Sequence, residues 1–172
     1  ANRRRMSEAI RILGIDPGLR HTGWGVIDLV GSRLSHVGHG VINIDPDLPM
    51  ADRLAGIFHA IGLLVETHNP DYAGCEETIV NANPRSALKL GQARGAAMTS
   101  LSFHGLEVSE FAPTAIKRAI VGTGKADKDQ VQFMVSRLLP RAGELKSDSA
   151  DALACAICTA HNLPHKQIQG AA

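Results

Sequence analysis

The spacing of apolar residues changes several times along the chain, and each change predicts an element. Residues 12–15 are an unbroken apolar run that reads as a short buried strand. Asp16, Pro17 and Gly18 interrupt it with turn residues. A second strand is predicted over 22–29 and a third over 33–44, after the turn Val30-Gly31-Ser32. Three strands joined by short turns predict antiparallel pairing. A loop over 45–49, with Asp47 as the expected N-cap, leads into a helix. That helix is marked by Leu54, Ile57, Phe58, Ile61, Leu64 and Val65 and runs to about Thr67. Residues 72–76 read as a short buried strand and 77–84 as a polar loop. A second long helix starts near Arg85, followed by a strand over 106–111 and a short helix over 114–121. A loop bearing Gly and Lys spans 122–128. Val131, Met134, Val135, Leu138 and Leu139 mark a further amphipathic helix, and a final helix begins near Asp148. The order predicts an α/β fold: a five-stranded mixed sheet with helices on both faces.

Composition narrows the class. With 172 residues, 44% of them apolar and 20% charged, the chain is that of one ordinary globular domain rather than a disordered segment. No apolar run approaches the roughly 18 residues that a membrane span needs. The basic start Ala1-Asn2-Arg3-Arg4-Arg5 lacks the apolar core of a secretory signal, and Met6 is a candidate natural start. Residues 1–10 are therefore read as an extension, 11–163 as the folded domain and 164–172 as a tail. Three cysteines make no disulfide framework, which favours a reducing cytoplasm. Cys155 and Cys158 have CxxC spacing inside a predicted helix with no second ligand pair, so buried hydrophobes are the expected role.

The net charge of +1 says little, but its distribution says more. Residues 28–84 hold eight acids and two arginines, whereas 85–128 hold seven Lys or Arg and three acids. Such asymmetry predicts a basic face. Four acids are placed where they could meet. Asp16 ends the first strand and Glu76 the fourth, with Glu77 expected on the opposite face. Asp148 and Asp151, three apart at a helix start, share one side. Helix capping would explain the last pair alone, but not all four together. Clustered carboxylates without a His or Cys set point to Mg²⁺ or Mn²⁺, and a two-metal site suits phosphodiester hydrolysis.

The blocks GIDPG with TGWGVID, CEET, SALKLGQARG, KRAIVGTGKADKDQV and SDSADALA resemble, in order from about Arg11 to His161, the RuvC family of bacterial Holliday-junction resolvases. The resemblance implies a ribonuclease-H-like fold, a homodimer and paired symmetric nicking of four-way DNA junctions, with RuvA–RuvB as the branch-migration partner. It implies metal-binding catalytic roles for Asp16, Glu76, Asp148 and Asp151, with two Mg²⁺ ions per site. Lys117 and Lys128 become phosphate contacts, and 77–85 a loop that probes the junction. Around these, Ile79, Asn81, Asn83, Arg85, Lys89, Arg118 and Lys125 are further candidate DNA contacts. Relatives tend to carry Phe on that loop where this chain has Ile79, which can wedge between bases but has no π-face.

Other readings remain on the sequence. A ribonuclease-H-like or YqgF-type nuclease acting on another nucleic acid is the nearest, and a catalytically silent DNA-binding module is more distant. The actin-like ATPases also open on a strand-Asp-x-Gly loop, but they need a second such loop and a longer chain. His21 lies close to Asp16 in sequence and is expected to be a solvated histidine. Gly91 and Gly95, four apart on the second long helix, allow another backbone to approach: that of a partner subunit or of the chain's own sheet.

Overall fold

Alternation along the first strand sorts the whole molecule into two layers. In the computed structural model, which describes residues 9–77 and 83–164, β1 spans Ile10–Asp16. Ile12 belongs to one buried cluster, and Leu13 and Ile15 to the other. This is the period of two that a strand buried on both faces requires. β1 pairs antiparallel with β2 (His21–Val30), which pairs antiparallel with β3 (Arg33–Asn43). β4 (Tyr72–Glu76) runs parallel to β1, and β5 (Glu107–Phe111) parallel to β4. The sheet order is β3-β2-β1-β4-β5, so β1 and β4 lie side by side and end together at Asp16 and Glu76.

Helices α1 (Met50–His68) and α2 (Pro84–Phe103) cover the Leu13 face with Ile57, Ile61, Ala93, Ala97 and Leu101. The other face carries α3 (Pro113–Val121), α4 (Lys128–Leu138), a single 3₁₀ turn over Pro140–Ala142, and α5 (Ser147–His161). Cys155 and Cys158 are buried in this second cluster, as expected of small hydrophobes. Among the described residues no helix is long and apolar enough to cross a membrane.

Most helix ends follow local rules. Asn69 closes α1 in the left-handed region at φ 48°, its N–H donating to Val65 O. Asp127 and Gln130 form a reciprocal capping box at the start of α4. The expected N-cap of α1 is a correction. Asp47 does not cap it; its own N–H donates to Asp45 Oδ1 at 2.9 Å, and the helix begins only after Pro49, with no side-chain cap. Pro49 presets the backbone for entry into a helix, and a local Asx turn takes the polar residues that sequence spacing had assigned to the cap.

Candidate active site

α5 lies unusually close to the sheet, and the reason is a set of missing side chains. A Cβ on Gly14 of β1 would sit 2.7 Å from Ala156 N and closer still to Ala152 O, both on α5. A Cβ on Gly23 of β2 would overlap the carbonyl of Asp148, and one on Gly74 of β4 would overlap Thr159 Oγ1. α5 answers with small residues of its own: Ala150, Ala152, Ala154, Ala156 and Ala160 are all buried. Ser149 Oγ donates to Gly40 O at 3.1 Å and ties the start of the helix to β3. Because side chains alternate along a strand, Asp16 shares the α5 side with Gly14, and Glu76 shares it with Gly74. The start of α5 therefore arrives beside both strand ends, carrying Asp148 in its first turn and Asp151 just after it.

The electrostatics of the four acids record that meeting. Asp16 is pushed up to about 8, first by burial and then by repulsion from Glu76, Asp151 and Asp148. Glu76 is raised by burial and by Asp151, with Lys128 and Lys117 opposing. Asp151 is raised by burial and Asp148, and Lys128 opposes again. Among the described residues no three carboxylate, imidazole or thiol groups already stand around one point as a metal's ligands would. The acids are near enough to repel one another without being drawn together. A cluster whose buried member resists ionisation while it faces three other carboxylates fits hard divalent cations, which supply the missing positive charge.

The site is an open cleft of about 230 Å³ lined by Glu76, Asp151, Lys117, Lys128, Ile116 and Val131. Lys128 Nζ lies 3.4 Å from Asp151 Oδ2 and remains mostly exposed. Of the candidate DNA contacts, then, Lys117 and Lys128 enter the same cleft as the acids. Arg85 and Lys89 are exposed on the first turns of α2, while Arg118 and Lys125 lie beyond the cleft on α3 and on the loop before α4. Asn83 caps α2, its side-chain oxygen accepting from Arg85 N–H at 2.9 Å. Ile79 and Asn81 lie outside the described residues. Glu77 is exposed past the end of β4, its N–H donating to Phe111 O at 2.8 Å. His21 is exposed too, its Nδ1 2.7 Å from Asn43 Oδ1.

Sequence reasoning missed two contributors. Arg94 of α2 donates its Nε–H to Glu76 O at 3.2 Å and pairs with Glu110, so it steadies the backbone of a site acid from the opposite face of the sheet. Its signal was a basic residue with no acidic neighbour one turn away on its own helix. Thr22 is the other. Its hydroxyl donates to Gly18 O at 2.8 Å and accepts from Gly18 N–H at 3.3 Å, which closes the loop just after Asp16.

Residues 12–159 match the model of the crossover junction endodeoxyribonuclease RuvC family. This chain belongs to the RuvC family. The RuvC crossover junction endodeoxyribonuclease of Hyphomonas neptunium is 68% identical over 97% of this chain and 100% of its own length. The RuvC of Caulobacter vibrioides is 52% identical over 88% of this chain and 89% of its own. Among solved structures, Thermus thermophilus RuvC in complex with a Holliday-junction substrate superposes with a TM-score of 0.82 at 28% identity, covering 94% of this chain and 97% of that one. The Thermus RuvC structure described without a junction gives 0.80 at 29%, over 88% and 93%. The mixed sheet with helices on both faces is thus the ribonuclease-H-like fold of RuvC.

Proposed function

We propose that this RuvC chain resolves four-way DNA junctions by paired symmetric nicks, leaving 5′-phosphate and 3′-hydroxyl ends, in recombination and repair. The observation that carries the reading is the cleft lined by Glu76, Asp151, Lys117 and Lys128, with Asp16 buried near enough to Glu76, Asp151 and Asp148 to be repelled by all three. Residues 11–163 are the nuclease domain in this reading. The four carboxylates would hold two magnesium ions (or manganese), whose charge would acidify an attacking water and stabilise a departing 3′ oxygen. Asp16 is buried and repelled by Glu76, Asp151 and Asp148, which supports its place in the metal set. Lys117 and Lys128 draw the scissile phosphate into an otherwise acidic cleft, and Lys128 exchanges Asp151 for phosphate oxygen as the strand enters. Arg85, Lys89, Arg118 and Lys125 hold the backbone around it, with Asn83 and, on the probing loop, Ile79 and Asn81 nearer the bases.

Two identical nicks need two sites related by a two-fold axis, which a C₂ dimer supplies. The Gly91–Gly95 face of α2 is its expected seam: a Cβ at either position meets nothing within 4 Å, so these glycines do not fit α2 against its own sheet. The enzyme works in the cytoplasm alongside the RuvA–RuvB branch-migration complex. Cleavage of four-way junctions against RNA–DNA hybrids in magnesium tests the substrate, and preference for the hybrid would overturn it. Asp148→Asn tests the acids. It should abolish cleavage yet leave junction binding largely intact, and a folded variant that loses both together would remove Asp148 from the metal set.

A further inference from the structure

At the end of the sheet away from Asp16, a second cleft of about 340 Å³ opens between the start of β3 and the end of α4. Arg33 is the first residue of β3, Arg137 lies in the last turn of α4 and Arg141 in the 3₁₀ turn. All three line the cleft with His36, over a floor that includes Leu138 and Pro140. Among the described residues no carboxylate lines it. Among the described residues the ion pairs formed are Arg11–Asp28, Arg94–Glu110 and Lys128–Asp151, so none of the three guanidinium groups is neutralised. Arg137 also stacks over the Phe133 ring at 5.7 Å. Arginines that remote sequence segments bring to one concavity repel one another, and low-dielectric walls concentrate their field. That arrangement is relieved by an anion with several oxygens, which the planar guanidinium groups can hold by paired hydrogen bonds.

We propose that the Arg33–Arg137–Arg141 cleft is a second phosphate-binding site, which grips the backbone of a junction arm beyond the active site. The proposal rests on the junction-resolving reading above, because that substrate is the dense source of phosphate. α4 connects the two clefts. Lys128 in its first turn lines the catalytic one and Arg137 in its last turn lines the other. Nine residues of helix at about 1.5 Å each separate them by about 14 Å along the axis. That spacing corresponds to about four base pairs of duplex at 3.4 Å per step. The arm is thereby held at two points, and its direction away from the nick is set by α4.

The test compares the full-length protein with the Arg33→Ala/Arg137→Ala/Arg141→Ala variant for binding to a four-way junction without magnesium, over a range of salt. Three lost phosphate contacts should flatten the log–log salt dependence by about 2–3 units. A junction with neutral methylphosphonate linkages three to five nucleotides from the nick should bind the natural protein less well and leave the variant unchanged. If the alanine variant does not fold, the matching Arg→Gln variant keeps the stems and is used in its place. Failure of the natural protein to bind junctions at all would sink the junction reading itself. Normal junction binding with the same salt slope and no response to the neutral linkages would overturn only the arm contact. Should the natural protein alone also bind a polyglutamate peptide in that case, the cleft is a docking site for an acidic protein instead.

Discussion

In the proposed function the chemistry turns on Asp16, and its acidity makes a testable sign. A carboxyl whose pKa in the folded protein is raised to about 8 favours folding while protonated and opposes it once ionised. With unfolded aspartate near 4, the metal-free protein should lose stability from this group as pH rises from about 4 to about 8. In the proposed function magnesium would bind the ionised form, so below about pH 8 it must displace a proton and above that it need not. The rise in Tm on adding magnesium should therefore be larger at pH 8.5 than at pH 6, as thermal denaturation at the two pH values would record. A rise independent of pH would mean that Asp16 does not ionise on metal binding. Lys128 makes a separate prediction. It is mostly exposed and paired with Asp151 at 3.4 Å, and a DNA phosphate can compete for it. Lys128→Ala should flatten the salt dependence of junction binding by about one unit, equally for different junction sequences. An unchanged slope would take Lys128 out of the interface.

At the scale of elements, the site depends on how closely α5 approaches β1, β2 and β4. Gly14→Ala places a methyl group against Ala152 O and Ala156 N, and neither backbone atom can turn aside. Overpacking of this kind costs about 1–3 kcal/mol. Any relief must come from α5 shifting outward, which carries Asp148 and Asp151 away from Asp16. We expect a folded, less stable protein whose cleavage falls further than its stability explains. Denaturant unfolding and junction cleavage per folded molecule measure the two effects, and full activity in a destabilised variant would mean that α5 need not sit so close. The strands, most helices and the placement of two acids at strand ends were legible from period and turn residues. The entry to α1 was not: Asp47 satisfied a capping pattern, but Pro49 delayed the helix and Asp45 took the hydrogen bond.

For the whole molecule, the proposed C₂ arrangement would place the two-fold requirement of paired nicking on α2. Gly95 is exposed, and among the described residues nothing beyond its own helix turn would lie within 4 Å of a Cβ there, so Gly95→Leu has room to fold. The variant is expected to be a folded monomer that binds junctions poorly, whereas a variant that remains dimeric in sedimentation would place the seam elsewhere. Of the two readings that spacing left equal, the described residues set aside one: they do not bring the parent sheet against either glycine. A glycine pair four residues apart looks the same whether a partner helix or the parent sheet approaches it.

The sequence by itself determined the local order: where strands and helices run, which residues carry hard oxygen donors, and that Asp16 and Glu76 end strands. Periodicity and turn chemistry act over a few residues, so one-dimensional spacing contains them. It also held the ordered blocks that resemble the RuvC family. Tertiary structure alone decided that Asp148 and Asp151 reach those strand ends, that Arg94 supports Glu76 from the other layer, and that Arg33 meets Arg137 and Arg141. Each of these meetings joins segments far apart in the chain. Their positions are set by which face an element buries and how near it can pack, and neither distance nor burial is written in any single stretch of residues.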